Sequence, residues 1–569
     1  VETADGAIHA NERPQLAGQN RLRLLGLCFG GAFLAIGLQL GYLSLVKRYL
    51  NPTVPVAMQE ERIPRPDIVD RNGVVLATDI AVPSLFADPR KIIDVDEAVE
   101  LLTAADPSLD AKTLRTKLSN TKKGFVWLKR EVSLAEKEAI YNLGIPGIEF
   151  RNETKRVYPM GRLASHVLGY VDLDSKGIAG IEKYLDDQGA IYTASLADPE
   201  KHIAMPAELS IDMRVQHVLA DELEKAIAKF RAKAGGGVIL DTETGEVIAM
   251  ASYPDFNPND PNKNFKTEQM NKMMSGVFEL GSVIKAVTFA MTFEYGVANL
   301  RSSYDARSAL IIGRQRINDF HAERRVLTVP EIFTYSSNIG TAKMALDVGI
   351  ERHQEFLKRV GLFDKLVTEV PETARPLLPR RWSRIVSATA AFGHGFAVQP
   401  LQGASVVSAL LNGGNLVTPT FFKRDKEQAL AQGQVVVSPA TVEKMRYLFR
   451  LNTQKGTATK ADVPGYRVGG KTGTAEKVVN GRYSKTQSLT SFIGAFPMEA
   501  PRYTIFVMLD EPKATPETYG FSTSGWNAAP TAGNIIARAA PILDVEPIVG
   551  AEEREKLEKL AKAEANKKR

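Results

Sequence analysis

Glu279-Leu-Gly-Ser282-Val-Ile-Lys285-Ala-Val-Thr-Phe-Ala-Met291 sets a serine at the mouth of an apolar helical run, with a lysine one turn further on. That spacing places hydroxyl and amine on one helix face. A hydroxyl is a poor nucleophile until a base takes its proton, and a lysine kept neutral in a dry pocket can do that. Backbone amides at the helix start point towards developing negative charge. The tetrapeptide alone proves little, because Ser-x-x-Lys also occurs at Ser44/Lys47 and Ser119/Lys122. Lys47 reads as an anchor at a membrane boundary, and Ser119/Lys122 as a solvated, lysine-rich loop.

Two further elements single out Ser282. Ser336-Ser-Asn338 is the one Ser-x-Asn of the chain, and Lys471-Thr-Gly473 the one Lys-Thr-Gly, inside a strand-like run from Val468 to Ala475. Both follow Ser282 in the order found in serine β-lactamases and penicillin-binding proteins. Each member has a physical job. Lys471 adds positive charge for a substrate carboxylate and disfavours a second charge on Lys285. Thr472 and Thr474 offer that carboxylate their hydroxyls. Gly473 is expected to leave the strand edge bare, so that substrate can add as an extra strand. The N–H groups of Ser282 and Thr474 are expected to form an oxyanion hole. Ser336 relays a proton to the leaving amine, and Asn338 bonds a substrate amide and Lys285.

Outward from the motifs, strands are expected at Arg467–Lys477, Leu489–Pro497 and Tyr503–Leu509, and a closing helix near Thr531–Ile542. Upstream, Asp212 caps a helix to about Lys233 that Gly235-Gly236-Gly237 ends. Val238–Met250 forms a hairpin turning at Glu243 to Gly245, and 270–410 is mainly helical. The fold class is therefore α+β: an antiparallel five-stranded sheet flanked by helices, over residues 209–546. Residues 47–208 form an earlier, mixed α/β domain. It starts with a linker (about 49–64) and a hairpin, Ile68–Leu76, whose Asn72-Gly73 accepts positive φ. The stretch from about 90 to 140 reads as mostly helical, and Arg156–Gly161 as a loop.

From Leu24 to Val46 no residue is charged, and Arg21, Arg23, Lys47 and Arg48 flank the run. About 23 helical residues reach ~34 Å, enough to cross a ~30 Å hydrocarbon core. The expected layout is a cytoplasmic segment at 1–23, a transmembrane helix at 24–46 and a charged tail at 547–569. Gly26/Gly30 and Gly37/Gly41 would let another helix approach. The chain of 569 residues is 44% hydrophobic and 24% charged, so two or three globular domains are expected. A dispersed charge of +6 gives no case for nucleic acid. The single cysteine, Cys28, rules out an intramolecular disulfide. His166, His217 and His394 have no metal-ligand spacing and read as structural, so no metal and no cofactor is expected.

Taken together, the residues resemble a class B penicillin-binding protein, from Arg23 almost to the end. Arg65-Pro-Asp-Ile-Val-Asp-Arg-Asn-Gly73 is similar to one signature of that family's N-terminal pedestal. Arg156-Val-Tyr-Pro-Met-Gly161, His166-Val-Leu-Gly-Tyr170 and Gly177-Ile-Ala-Gly-Ile-Glu182 are similar to a second. Gly393-His-Gly-Phe-Ala-Val-Gln-Pro-Leu401 resembles a further segment of the transpeptidase domain. Pro66 and Leu280 depart from the family pattern, at positions that supply no reacting group. The spacing is similar to the division-specific, septal branch of Gram-negative bacteria. The resemblance implies a D,D-transpeptidase that acylates Ser282 with the D-Ala-D-Ala end of a peptidoglycan stem peptide and passes the acyl group to an amine. It implies inhibition by β-lactams, a single-pass anchor in the cytoplasmic (inner) membrane with the catalytic domain in the periplasm, and as partners an FtsW-like (SEDS-type) glycosyltransferase and other divisome proteins. Competing readings are an elongation-type enzyme, a D,D-carboxypeptidase or β-lactamase using the same trio, and a non-catalytic sensor or scaffold. No Glu-x-x-Leu-Asn segment, extra membrane helix or effector domain favours the last two.

Overall fold

The computed structural model describes residues 13–41, 65–189, 205–260, 267–479, 481–548 and 550. The chain divides into two compact units, Val1–Ile63 and Pro64–Arg569. The first holds helix α1, Arg13–Gly41, on which Leu27, Phe29, Phe33, Leu34 and Leu38 are exposed. Among the described residues no helix is long and apolar enough to cross a membrane. The expected span at 24–46 runs past the described side chains at both ends, and Ser44, Lys47 and the linker at 49–64 lie outside the described residues. Most of the expected tail, 551–569, lies outside them too.

The second unit begins with the expected hairpin. Strands β1 (Ile68–Val69) and β2 (Val75–Ala87) pair antiparallel. Between them the Asp70 carboxylate accepts from the N–H groups of Asn72 and Val74 at 2.8 and 2.9 Å, and Gly73 takes φ 83°. Helices α2 (Val95–Ala105), α3 (Ala111–Leu118) and α4 (Leu134–Tyr141) and strand β3 (Val126–Lys129) fill the stretch read as mostly helical. Strand β4 (Ile148–Val157) then pairs along β2, so Arg156 belongs to a strand and not to the expected loop.

That register carries Arg156 inward. Its Nε donates to Glu182 Oε1 at 2.7 Å and its Nη1 to Asp79 Oδ1 at 3.1 Å. Arg65 donates to Glu182 Oε2 (2.9 Å) and to Asp186 Oδ1 (2.6 Å), from the other side. Glu182 and Asp186 lie on helix α5, Gly180–Asp187. Glu182 is fully buried, so its two oxygens are held by two guanidinium groups. Three of the segments picked out by resemblance, those carrying Arg65, Arg156 and Glu182, thus meet in one ionic knot. Strand β5 (Ala207–Glu208) runs parallel to β1, and the chain leaves this sheet at Leu209.

Helix α6 (Met213–Phe230) is capped by Asp212 as expected, and ends at Arg231 with φ 47°. The glycine triplet does not end it. Gly235–Gly237 lie inside strand β6 (Ala234–Asp241), where a Cβ at Gly236 would meet Met273 Cε at 2.6 Å. Strand β7 (Val247–Tyr253) completes the hairpin. After the helical stretch come β8 (Gly469–Val479), β9 (Arg482–Phe496) and β10 (Tyr503–Asp510). The sheet order is β8-β9-β10-β6-β7, antiparallel throughout. Alternation sorts its two faces. Ile239, Phe492, Ile505 and Val507 join Leu219 of α6 and Ile535 and Ile536 of the last helix, Ala528–Ala539. Val238, Ile493, Phe506 and Met508 face the central helices through Phe289, Leu410 and Phe449. Strand β8 stands at the edge, paired on one side only.

Candidate active site

The edge strand and the central helices meet at Ser282. Residues Gly281–Ile284 form a single 3-10 turn that runs into helix α7, Lys285–Glu294. Gly281, Val283 and Ile284 are buried, and Ser282 is the one member of the turn that is partly exposed. Gly281 has φ 57°, and a Cβ there would lie 3.0 Å from Thr474 O. A Cβ at Gly473 would lie 2.6 Å from Leu280 O and 2.9 Å from Val283 Cγ2. Gly473 therefore also lets the serine turn sit on the strand. The same contact brings the Ser282 and Thr474 amides onto adjoining elements.

Lys285 opens α7 and is fully buried. Its Nζ donates to the carbonyl of Ser336 and, at 3.0 Å, to Ser336 Oγ. Lys471, equally buried, reaches the same Oγ at 3.0 Å and its neighbour's carbonyl, Thr472 O, at 3.2 Å. Ser336 Oγ is thus shared by two lysine amines. Burial first, and then the charge on Lys471, hold Lys285 well below the ordinary lysine range, while Asp319 pulls the other way. Burial lowers Lys471 to about 7. Two amines this close titrate as a pair, so near neutral pH one of them is free to act as a base.

Ser336 adopts φ 59°, a region that costs a non-glycine residue of order 1–2 kcal/mol. The next residues are pinned from outside the trio. Ser337 caps helix Asn338–Val348 and donates to Asp319 Oδ2 at 2.8 Å, while Ile339 N–H donates to Asp319 Oδ1 at 2.9 Å. Asn338 donates from its amide to Asn318 O at 3.1 Å. In place of the expected bond to Lys285, the side-chain amide of Asn338 is held by Asn318 O. Asn318 and Asp319 were invisible from the sequence, lying 18 and 17 residues before Ser336 among short strands.

Thr472 Oγ1 lies 2.6 Å from Thr457 Oγ1, and Thr474 Oγ1 accepts from Ser524 N–H at 3.2 Å. Thr474 therefore keeps its own proton to donate. Elsewhere Ser119, the C-cap of α3, and Lys122 are exposed, as read. His217 is exposed, and His166 is buried with Nε2 2.6 Å from Gln269 O. His394 is different. It follows Gly393, where a Cβ would fall 2.2 Å from Gly281 O, so the histidine's own loop packs against the serine turn across a sequence distance that hid it.

Residues 235–537 match the family described as penicillin binding protein transpeptidase domain, more than half the chain, and 61–188 match the penicillin-binding protein dimerisation domain. The chain belongs to the class B penicillin-binding proteins. Relatives of this class include the probable peptidoglycan D,D-transpeptidase FtsI of Caulobacter vibrioides, 39% identical over 96% of this chain and 92% of that protein. The peptidoglycan D,D-transpeptidase FtsI of Escherichia coli is 31% identical, covering 86% and 85%. Among solved structures, the apo transpeptidase domain of Burkholderia pseudomallei penicillin-binding protein 3 aligns with TM-score 0.54 at 31% identity, over 60% of this chain and 98% of that one. For a class B enzyme of this kind, the Ser282, Ser336 and Lys471 motifs fall within the matched transpeptidase region.

Proposed function

We propose that this protein is a peptidoglycan D,D-transpeptidase that cross-links stem peptides during septal wall synthesis through a Ser282 acyl-enzyme. The observation that carries the assignment of roles is Ser336 Oγ, 3.0 Å from both Lys285 Nζ and Lys471 Nζ. A D-Ala-D-Ala terminus adds along the free edge of β8, its carboxylate drawn by Lys471, Thr472 and Thr474. The carboxylate holds a proton on Lys471, and that charge keeps Lys285 neutral. Lys285 takes the Ser282 proton as Oγ attacks the penultimate carbonyl, and the Ser282 and Thr474 amides receive the oxyanion. Ser336 passes the proton to the departing D-alanine amine, and Asn338 orients the peptide. An acceptor amine then resolves the acyl-enzyme, and β-lactams stop at this point as mimics of the dipeptide.

The uncharged run at 24–46 supports a single anchor in the cytoplasmic membrane, with residues 47–208 as pedestal and 209–546 as the catalytic domain on the periplasmic side. An FtsW-like glycosyltransferase and other divisome membrane proteins would meet the helix and the pedestal. The test is mass spectrometry of the penicillin-treated protein. A lasting adduct on the peptide containing Ser282, absent from Ser282→Ala, is expected. Release of the adduct within seconds would make the protein a hydrolase instead.

A further inference from the structure

Three residues before the nucleophile, Glu279 carries a carboxylate that the trio does not use. Its Oε1 accepts from Gly395 N–H at 2.9 Å and from Tyr483 O–H at 3.1 Å. Its Oε2 is buried and has no hydrogen-bond partner. Three separated segments converge to make this arrangement. The approach to the serine turn supplies Glu279, the 393–395 loop packed on Gly281 supplies the amide, and β9 supplies the tyrosine next to the hairpin tip. His394 lines the same spot, its ring 5.6 Å from that of Tyr483 and its Nδ1 buried without a partner. Burial lowers His394, so the ring is neutral, and raises Glu279. A buried carboxylate oxygen with nothing to bond is costly. Such a cost is retained where a ligand supplies the missing donor.

We propose that Glu279 Oε2 receives the primary ammonium of the acceptor peptide, and that Glu279, with Tyr483 and His394 around it, is the acceptor side of the active site. The proposal rests on the transpeptidase reading and names the group that handles its second substrate. The acceptor enters as R–NH3+ and must lose two protons to become an amide. Glu279 takes one. The freed lone pair attacks the acyl carbon, the C–N bond forms, and the bond from that carbon to Ser282 Oγ breaks. The second proton passes through Lys285 to Ser282 Oγ, restoring the hydroxyl, and Glu279 returns its proton to solvent.

The experiment uses the full-length protein, a D-alanyl thioester as donor and D-alanine as the amine probe. Acyl-enzyme formation is read separately from its partition between aminolysis and hydrolysis. Glu279→Gln keeps the acceptor oxygen for Gly395 and Tyr483. It is expected to acylate within about threefold of wild type while the aminolysis-to-hydrolysis ratio falls at least tenfold, with Glu279→Asp recovering part of the loss. An unchanged ratio, or a parallel loss of acylation and aminolysis, overturns the proposal. Tyr483→Phe removes one donor from Oε1 and should leave the ratio equal or higher. A fall as large as that of Glu279→Gln would move the role to the tyrosine and overturn the assignment to Glu279. If the wild-type protein forms no acyl-enzyme at all, it is the transpeptidase reading that fails, and the two failures are told apart.

Discussion

In the pedestal, Arg65 and Arg156 are buried beside Glu182, Asp79 and Asp186, and each guanidinium meets carboxylate oxygens. In the transpeptidase domain Lys285 and Lys471 are buried as deeply, yet their Nζ atoms reach one shared hydroxyl and backbone carbonyls. The first cluster uses arginine, which stays charged, and answers charge with charge. The second uses lysine, which gives up its proton when desolvated, and sets two like groups together. Buried cations with carboxylates fix a fold; buried amines without them are held ready for chemistry. Pairing, more than burial, separates structure from function in this molecule.

The largest effect should come from breaking the second cluster. Lys285→Ala removes the base, and acylation by a labelled penicillin is expected to fall on the order of 10^4-fold. Because a desolvated amine with no carboxylate bonded to it leaves the core, thermal unfolding should be unchanged or shifted upwards. A variant that acylates normally would mean that Lys285 is not the base. The mirror experiment is Glu182→Ala in the pedestal. Two buried guanidinium groups lose their shared partner, and denaturant unfolding should show a loss of about 3–5 kcal/mol. At a temperature where the variant is still folded, its acylation rate should stay near that of the wild type. A rate loss in the folded variant would tie the knot to the catalytic site.

A third test compares the clusters by pH. Lys471 is lowered to about 7 from the ordinary 10.5 by burial. Between those values the unfolded chain binds the proton and the folded one does not, so stability rises with pH from about 7 to about 10.5. It is lower, and independent of this group, below pH 7. Lys471→Met should reduce that rise, to which Lys285 also contributes, in a series of unfolding midpoints, whereas Glu182→Ala should leave its slope in place. An identical slope in wild type and Lys471→Met would mean that Lys471 stays protonated in the folded protein.

The contrast also explains what could be read from the chain. Ser282 and Lys285 lie one helical turn apart and Lys471 and Gly473 lie in one strand, but the three motifs in their fixed order are what marked them. Arg65, Arg156 and Glu182 were marked by resemblance, but the register of β4 on β2 was needed to show that they meet. Gly235–Gly237 were misread because glycine ends helices and also permits close packing, and only the neighbours decide which. Asp319, Glu279 and the placement of His394 depend on contacts between segments that no periodicity links. Glu279, for example, meets Gly395 and Tyr483 across 116 and 204 residues.

The smallest expected effect concerns Asp319, which touches neither lysine by hydrogen bond yet acts on Lys285 through its charge. Its charge pulls Lys285 upwards against burial and Lys471. It also pins Ser337 Oγ and Ile339 N–H with its two oxygens. Asp319→Asn keeps the shape and one acceptor but loses the charge and one hydrogen bond. Stability should fall by about 1 kcal/mol and acylation about tenfold, as the Ser336 turn loosens. The charge makes a separate prediction with a fixed sign. Without Asp319 the protonated form of Lys285 loses its one favourable carboxylate, so the acid limb of the acylation rate should move to lower pH. A fall in rate with the limb unmoved would leave Asp319 as a mechanical clamp alone. A limb displaced to higher pH would contradict the electrostatic account of the lysine pair.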